Sequence, residues 1–453
     1  MKRIIYSFII LLMIGFQSCE DVVEGLNNDP NNFNDAPLNL VLNHANLNVV
    51  AIAEAHPARI ATMFTDQFGG NDRQYGTLNI YSTLQTDYDE VWEDLFQRGI
   101  TQAQIAKQKA QEIGNDQSEG QAQILEAYFF GEAALLFGDI PFSQVNDPEI
   151  FDPEFEGQVS VLNSVVTMLQ EGATLAGSSS ADNNVFNTSS SWAQIANALR
   201  ARYLLALGDN AGALSAAQAA NFTSKANDWE IVHTTTNFAE NLFYQFQVEQ
   251  RQDYLKVLGS IDYSYMSKLL NDTTSEYKGN SKTDEGGRYA YYVSSDGEDL
   301  NTEPGGFAGI DTNFPVVSFE EIQLIIAETS VGTDNNAALT ALNAVRASHA
   351  TMFTTGQYDP YVIADFQVGG ELYDGTSEDS SLMMEIMLEK YCSVIGLPTY
   401  SDVRRTDNMV GVPVKGTGTT VIPQRYLYPQ TESASNENFP GLVDQYTPTA
   451  VNQ

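Results

Sequence analysis

Across 453 residues the chain carries 59 Asp and Glu against 22 Lys and Arg, a formal net charge of −37. A polyanion of this density repels phosphate backbones, which argues against nucleic acid as a partner. Hydrophobic residues make up 43% of the sequence, enough for a sizeable core and unlike an acidic disordered tail.

Residues 1–18 read as a lipoprotein signal peptide. Lys2 and Arg3 form a basic head, Ile4 to Phe16 an apolar run, and Ser18-Cys19 the processing point. The run is shorter than the roughly 20 helical residues that span a bilayer, so it reads as an h-region. An ordinary cleavable signal needs small residues at −3 and −1, and Phe16 fails that test. Cys19 is therefore the expected lipidation site. With Cys19 acylated, only Cys392 remains, and no intramolecular disulfide is expected. Residues 19–37 read as a lipid-anchored tether, because Asn27-Asn28-Asp29-Pro30-Asn31-Asn32 clusters turn formers without a hydrophobic period.

From Leu38 to Gln453 the pattern is that of one mainly α domain. Leu125, Phe129, Ala133 and Leu136 recur at helical spacing, and Gly138-Asp139-Ile140-Pro141 stops that helix. A helix over about 191–207 precedes an alanine-rich partner over 211–220, with Asp209 or Asn210 as cap. A further pair covers 319–329 and 335–348, capped by Asp334 or Asn335, and a late helix carries Met383, Met387, Tyr391 and Val394. These pairs resemble tetratricopeptide units without a strict period, a degenerate helix-turn-helix scaffold. Two loop-rich stretches interrupt it, about 221–315 and 354–379. Long irregular segments in a compact domain are commonly functional, and richness in aromatics argues that these fold onto the core.

No residue set points to catalysis. His44, His56, His233 and His349 form no metal-binding spacing, and no nucleophile elbow or phosphate loop occurs. Cys392 on an apolar helix reads as a core residue. Asp296-Gly297-Glu298-Asp299 lacks a full calcium loop and reads as a solvated turn. The expectation is a non-enzyme with no cofactor and no metal.

Five stretches then carry a resemblance. They are Leu26 to Asn31, Ala127 to Phe142, Ala198 to Leu204, Glu321 to Glu328 with Leu342 to Arg346, and a C-terminal block. The block comprises Glu389-Lys390-Tyr391, Asp402 to Thr406 and Ile422 to Pro429. In this order they resemble the SusD/RagB family of nutrient-binding outer-membrane lipoproteins of Bacteroidetes, in the branch with the Asn-Asp-Pro-Asn signature. The resemblance implies four helix-turn-helix units with a loop-built ligand face. It also implies a non-catalytic role at the cell surface: capture of an oligosaccharide for a partner SusC-like TonB-dependent barrel transporter, with the outer membrane reached through the lipid anchor. A peptide or other nutrient in the same role, or a helical-repeat adaptor without small ligand, stays open. Glu20-Asp21 serves either as a surface-display signal or as a plain linker.

Sugars are held by aromatic faces and planar polar groups. Two regions fit: Asp66 to Tyr81, with Asn71, Arg73, Tyr75 and Tyr81, and Arg288 to Phe314, with Tyr289, Tyr291, Tyr292 and Phe307. These eight are the candidate ligand contacts, the three tyrosines being expected in a loop outside the helical stripes.

Overall fold

The computed structural model describes residues 36–453. The expected signal peptide, Cys19 and the expected tether up to residue 35 lie outside the described residues.

The chain enters through helices α1 (Leu38–Ala53), α2 (His56–Phe64) and α3 (Arg73–Asn79). A longer series follows: α4 (Thr101–Glu112), α5 (Asp116–Phe137), α6 (Gln158–Ala176), α7 (Trp192–Ala206) and α8 (Asn210–Ala220). Each packs on its chain neighbour. The short α9 (Gly286–Tyr292) lies in the first loop-rich stretch. Beyond it, α10 (Phe319–Ser330) packs on α8 and on its own partners α11 (Asn335–Met352) and α12 (Glu378–Ser393). The last of the scaffold helices, α13 (Leu397–Arg405), returns to α2. The protein is thus a tetratricopeptide-like stack of helix pairs with little sheet.

The local signals act as their chemistry requires. Asn115 caps α5 by accepting from the Ser118 N–H at 3.1 Å, and Gly138 ends it at φ +88°, a conformation that side chains disfavour. Asp209 and Asp334 take the cap positions of α8 and α11. Gly120 lets α5 and α6 approach closely, because a Cβ there would come within 2.3 Å of the Ala176 nitrogen.

The polar residues of the resemblance motifs are struts. Arg202 on α7 donates to Glu321 on α10 (2.7 Å) and to Glu132 on α5 (3.3 Å), joining three helices. Glu328 on α10 holds Arg405 on α13 at 2.6 Å, and Lys390 on α12 sits 2.9 Å from Asp402. Arg404 lies 3.9 Å from the centre of the Tyr400 ring and donates to the Leu135 and Gln424 carbonyls. All are buried but the half-buried Arg405. An ion pair out of water persists only when each charge is met with good geometry, so these pairs fix which helices meet.

The first loop-rich stretch is closed at its base by a three-stranded antiparallel sheet. Trp229–Ile231 lies between Phe186–Asn187 and Phe314–Val317. Gly69–Gly70 pairs with Leu255–Lys256, which ties the segment after α2 to that stretch. The second stretch, 354–379, is packing material. Tyr361 and Phe366 join Leu324, Leu342 and Ile386 in a core cluster of their own, and Arg346 lies 3.6 Å from the centre of the Tyr361 ring.

A candidate ligand groove between helix α2 and the first loop-rich stretch

The Gly69–Gly70 pairing brings two sequence-distant segments side by side. Between them opens a groove of about 650 Å3, lined by His56, Arg59, Gln74, Tyr75, Asp87, Glu90, Asp94, Phe246, Arg251 and Tyr254 among others. Its volume falls in the range of about 300–1,000 Å3 usual for ligand sites.

The aromatic wall is built by stacking. Tyr75 from α3 lies parallel to Phe246 with ring centres 4.9 Å apart, and Tyr254 closes on both at 5.9 and 6.1 Å. Phe246 belongs to a π-helical turn over Gln245–Gln250, a rare geometry concentrated at functional sites. Three guanidinium groups gather on these rings. Arg59 lies 4.2 Å from the Phe246 ring centre, with Arg251 and Arg73 5.9 and 6.0 Å from that of Tyr254. The groove lining also holds four carboxylates, Asp87, Glu90, Asp94 and Glu249, so the site carries both signs of charge.

Polar groups beneath the wall are locked. The His56 Nε2 meets the Asp87 carbonyl at 3.2 Å and must donate to it. Burial first, then the neighbouring Arg59 charge, lower the His56 pKa to about 4, so the ring is neutral at pH 7. Its Nδ1 then accepts from the Tyr75 hydroxyl at 3.1 Å, and that hydroxyl accepts from Arg59 Nε at 3.0 Å. Gln74 donates to Asp87 at 2.8 Å. Backbone strain collects beside the groove: Arg73 and Asp253, next to Gln74 and Tyr254, hold φ of 46° and 67°, a region that costs non-glycine residues about 1–3 kcal/mol.

Three of the eight sequence candidates meet here. Asn71 donates to the Asp253 carbonyl at 3.1 Å and sets the turn carrying Tyr254. Arg73 is exposed, 3.5 Å from the Tyr254 hydroxyl, and Tyr75, itself 3% exposed, supplies the ring stacked on Phe246 behind the wall. The other five lie elsewhere. Tyr81 is 2% exposed, packs edge-on against Phe64 and accepts from the Lys415 N–H. Tyr292 and Phe307, 4% and 5% exposed, join Phe68, Phe243 and Phe314 in an aromatic core. Tyr291 packs on Tyr292 and Phe353 beside a cavity of about 90 Å3, too small for an oligosaccharide. Tyr289 is half-buried and packs against the core. The expectation of a loop there is corrected: the three tyrosines stand on α9, where Tyr291 and Tyr292 pack on Phe307 and Phe353 and the Tyr292 hydroxyl donates to the Cys392 carbonyl on α12.

The same helix carries Arg288 into the interior. Its guanidinium meets Glu285 and Glu389, each at 2.6 Å, and Lys278 bridges the same two carboxylates at 2.9 Å. Arg288 and Lys278 hold the Glu389 carboxyl well below its ordinary range despite burial. Cys392 sits beside them, its thiol pushed up to about 12 by burial, which makes it inert as a nucleophile. The Asp296–Asp299 turn is answered by Lys256, 3.2 Å from Asp299.

His56, Arg59, Phe246, Arg251 and Tyr254 were not singled out from sequence. Arg59 reads as the outer face of a scaffold helix, and Arg251 and Tyr254 lack a motif. A legible signal was a basic residue three positions before a tyrosine within a loop-rich stretch of an acidic chain.

A family model described as starch-binding, associating with the outer membrane, matches residues 30–429. No curated protein sequence matches the chain. Among solved structures, a SusD/RagB family protein from Bacteroides thetaiotaomicron is similar at 17% identity and TM-score 0.63, covering 89% of this chain and 95% of that one. A SusD homolog from Bacteroides vulgatus reaches TM-score 0.69 at 13% identity, covering 91% and 97%. A chitin-binding protein matches at 16% identity and TM-score 0.63, covering 91% and 99%. The chain belongs to the SusD-like family.

Proposed function

We propose that this protein is a cell-surface lipoprotein, anchored in the outer membrane through Cys19, that captures an oligosaccharide in the Arg59–Tyr254 groove. It passes that ligand to a partner TonB-dependent barrel transporter. Residues 1–18 serve as the signal peptide, 19–37 as the tether and 38–453 as the binding domain. The protein performs no catalysis and needs no cofactor.

The observation that carries this reading is the joint presence of stacked rings and fixed planar donors in one open groove. The half-buried Tyr254 ring, backed by the buried Tyr75 and Phe246, offers an apolar face to sugar C–H surfaces. Arg59, Arg251, Gln74 and Asp87 supply donors and acceptors for hydroxyls. Family membership supports the outer-membrane association and the nutrient-binding class. A peptide in place of the sugar has one specific argument: Arg59 and Arg251 alongside Glu90 and Asp94 match the two charged ends of a short peptide.

An oligosaccharide and peptide array on the full-length protein in detergent tests the ligand class. Saturable binding of glycans that is lost in Arg251→Ala supports the reading; binding of peptides alone moves it to the second class. Cys19→Ala is expected to abolish palmitate labelling and release the protein from membranes, because stable attachment takes more than one acyl chain. Co-purification with a neighbouring-gene barrel tests the partner.

A further inference from the structure

The segment that walls the ligand groove has a second face. Glu90 and Asp94 look into the Arg59–Tyr254 groove, whereas Asp89, Trp92, Glu93 and Phe96 line a separate one on the opposite side. The helix Asp89–Glu93 running into the π-helical turn Asp94–Ile100 makes this possible, with residues at i, i+3, i+4 and i+7 sharing the second face.

This second groove encloses about 720 Å3 and is completed by Pro141, Val145, Ile150, Phe151, Pro153 and Glu432, among others. Trp92 and Phe96 are stacked with centres 4.3 Å apart, and Phe155 backs Trp92 in parallel at 6.3 Å. Phe151 at the mouth is 91% exposed, a large aromatic ring with no packing reason to be there. The chemistry of the walls is one-sided. Among the described residues no Lys, Arg or His lines this groove. Glu93 is answered by Arg98 at 2.8 Å. Asp89 accepts only from the Thr431 N–H and hydroxyl, at 3.0 and 3.2 Å. Glu432 is held by the Asn436 amide at 2.6 Å and lines the groove beside Trp92. Two half-buried carboxylates with neutral partners thus stand beside aromatic faces.

We infer that the Trp92–Phe151 groove is a second binding site, and that it takes a peptide segment presenting a lysine or arginine side chain. A cation on an apolar stem is the group that satisfies such a wall. The stem covers Phe96 and Phe151, the charge lies over ring faces, and Asp89 and Glu432 receive its N–H donors. A neutral sugar leaves the carboxylates without a cation, and an anionic ligand is repelled by them. The Arg59–Tyr254 groove, lined by Arg59 and Arg251 as well as by carboxylates, carries both signs of charge, so the two faces of one helix differ in the charge they present.

The three tryptophans make the test direct. Of the three, Trp92 lines this groove and Trp192 and Trp229 do not, so a ligand-induced change in emission reports Trp92. End-blocked Ala-Arg-Ala and Ala-Glu-Ala are titrated into the full-length protein in detergent, with maltotriose as the neutral control. The arginine peptide is expected to change the emission saturably, and the other two not. Phe151→Ser, at an exposed site that leaves folding intact, is expected to weaken the arginine peptide about fivefold. Glu432→Gln is expected to weaken it about tenfold with an unchanged melting temperature. A saturable response to all three probes, to maltotriose alone, or to none overturns the inference, as does full affinity in both variants. Each of those outcomes leaves glycan binding at the Arg59–Tyr254 groove standing.

Discussion

Two stretches of similar composition, 66–81 and 286–314, are used in opposite ways. Both hold tyrosines, arginines, asparagines and glycines. In the first, Arg73 points to solvent beside Tyr254, and the Tyr75 ring forms part of a groove wall. In the second, Arg288 is fully buried among Glu285 and Glu389, and Tyr292 and Phe307 close an aromatic core. The difference lies in what each stretch meets. Segment 66–81 is pinned by a two-residue strand to another surface stretch, whereas α9 lies against α12, whose carboxylates demand cations. Composition alone therefore does not separate a ligand face from a structural one; the partner's charge does.

The largest expected effect breaks the buried side of this contrast. Glu389→Gln leaves Arg288 and Lys278 short of a charge in a dry site, and should lower unfolding free energy by about 3–5 kcal/mol. Denaturant titration measures it, and a loss under about 1 kcal/mol would mean that water reaches the cluster. Tyr292→Ala comes next. Removing a ring packed on Phe68 and Phe307 opens a cavity, at a cost of about 3–4 kcal/mol read from the same titration.

The groove side carries a smaller, pH-dependent term. His56 is neutral when folded, with its pKa lowered to about 4 from 6.5. The unfolded chain thus binds the extra proton between these values, so stability is present above about pH 6.5 and is lost as pH falls towards 4. Discounted for the half-exposed site, the loss is about 2 kcal/mol. His56→Asn should flatten that part of the stability–pH curve. Arg73→Ala should be smallest: within about 0.5 kcal/mol on stability, and a few-fold on glycan affinity.

The scaffold was legible because its signals are local. The Leu125 to Leu136 spacing, the Gly138 stop and the Asp209 and Asp334 caps each act within a turn or two of chain. The motif residues Arg202, Glu321, Glu328, Asp402 and Arg405 carried the resemblance, and they are struts between helices, all buried but the half-buried Arg405. They therefore report how the helices are assembled and say little about the ligand. The groove was legible in part. Asn71, Arg73 and Tyr75 lie in a glycine-punctuated segment, but Phe246, Arg251 and Tyr254 reach them only through the pairing of Gly69–Gly70 with Leu255–Lys256. A two-residue strand leaves no periodic trace. The α9 tyrosines were misread as a loop because Gly286-Gly287 opens the helix, and glycine pairs read as turns.

The central claim, that the ligand face is the Arg59–Tyr254 groove and not the α9 tyrosine face, is tested most directly by one paired titration. Tyr254→Ala and Tyr291→Ala are compared for affinity towards the array-selected oligosaccharide by calorimetry, each first checked for an unchanged helical circular-dichroism spectrum. Tyr254→Ala should lose about tenfold in affinity or more, because a stacking ring is removed from the wall. Tyr291→Ala should bind as the parent does. Full affinity in Tyr254→Ala together with a loss in Tyr291→Ala would contradict the assignment and return the ligand to α9.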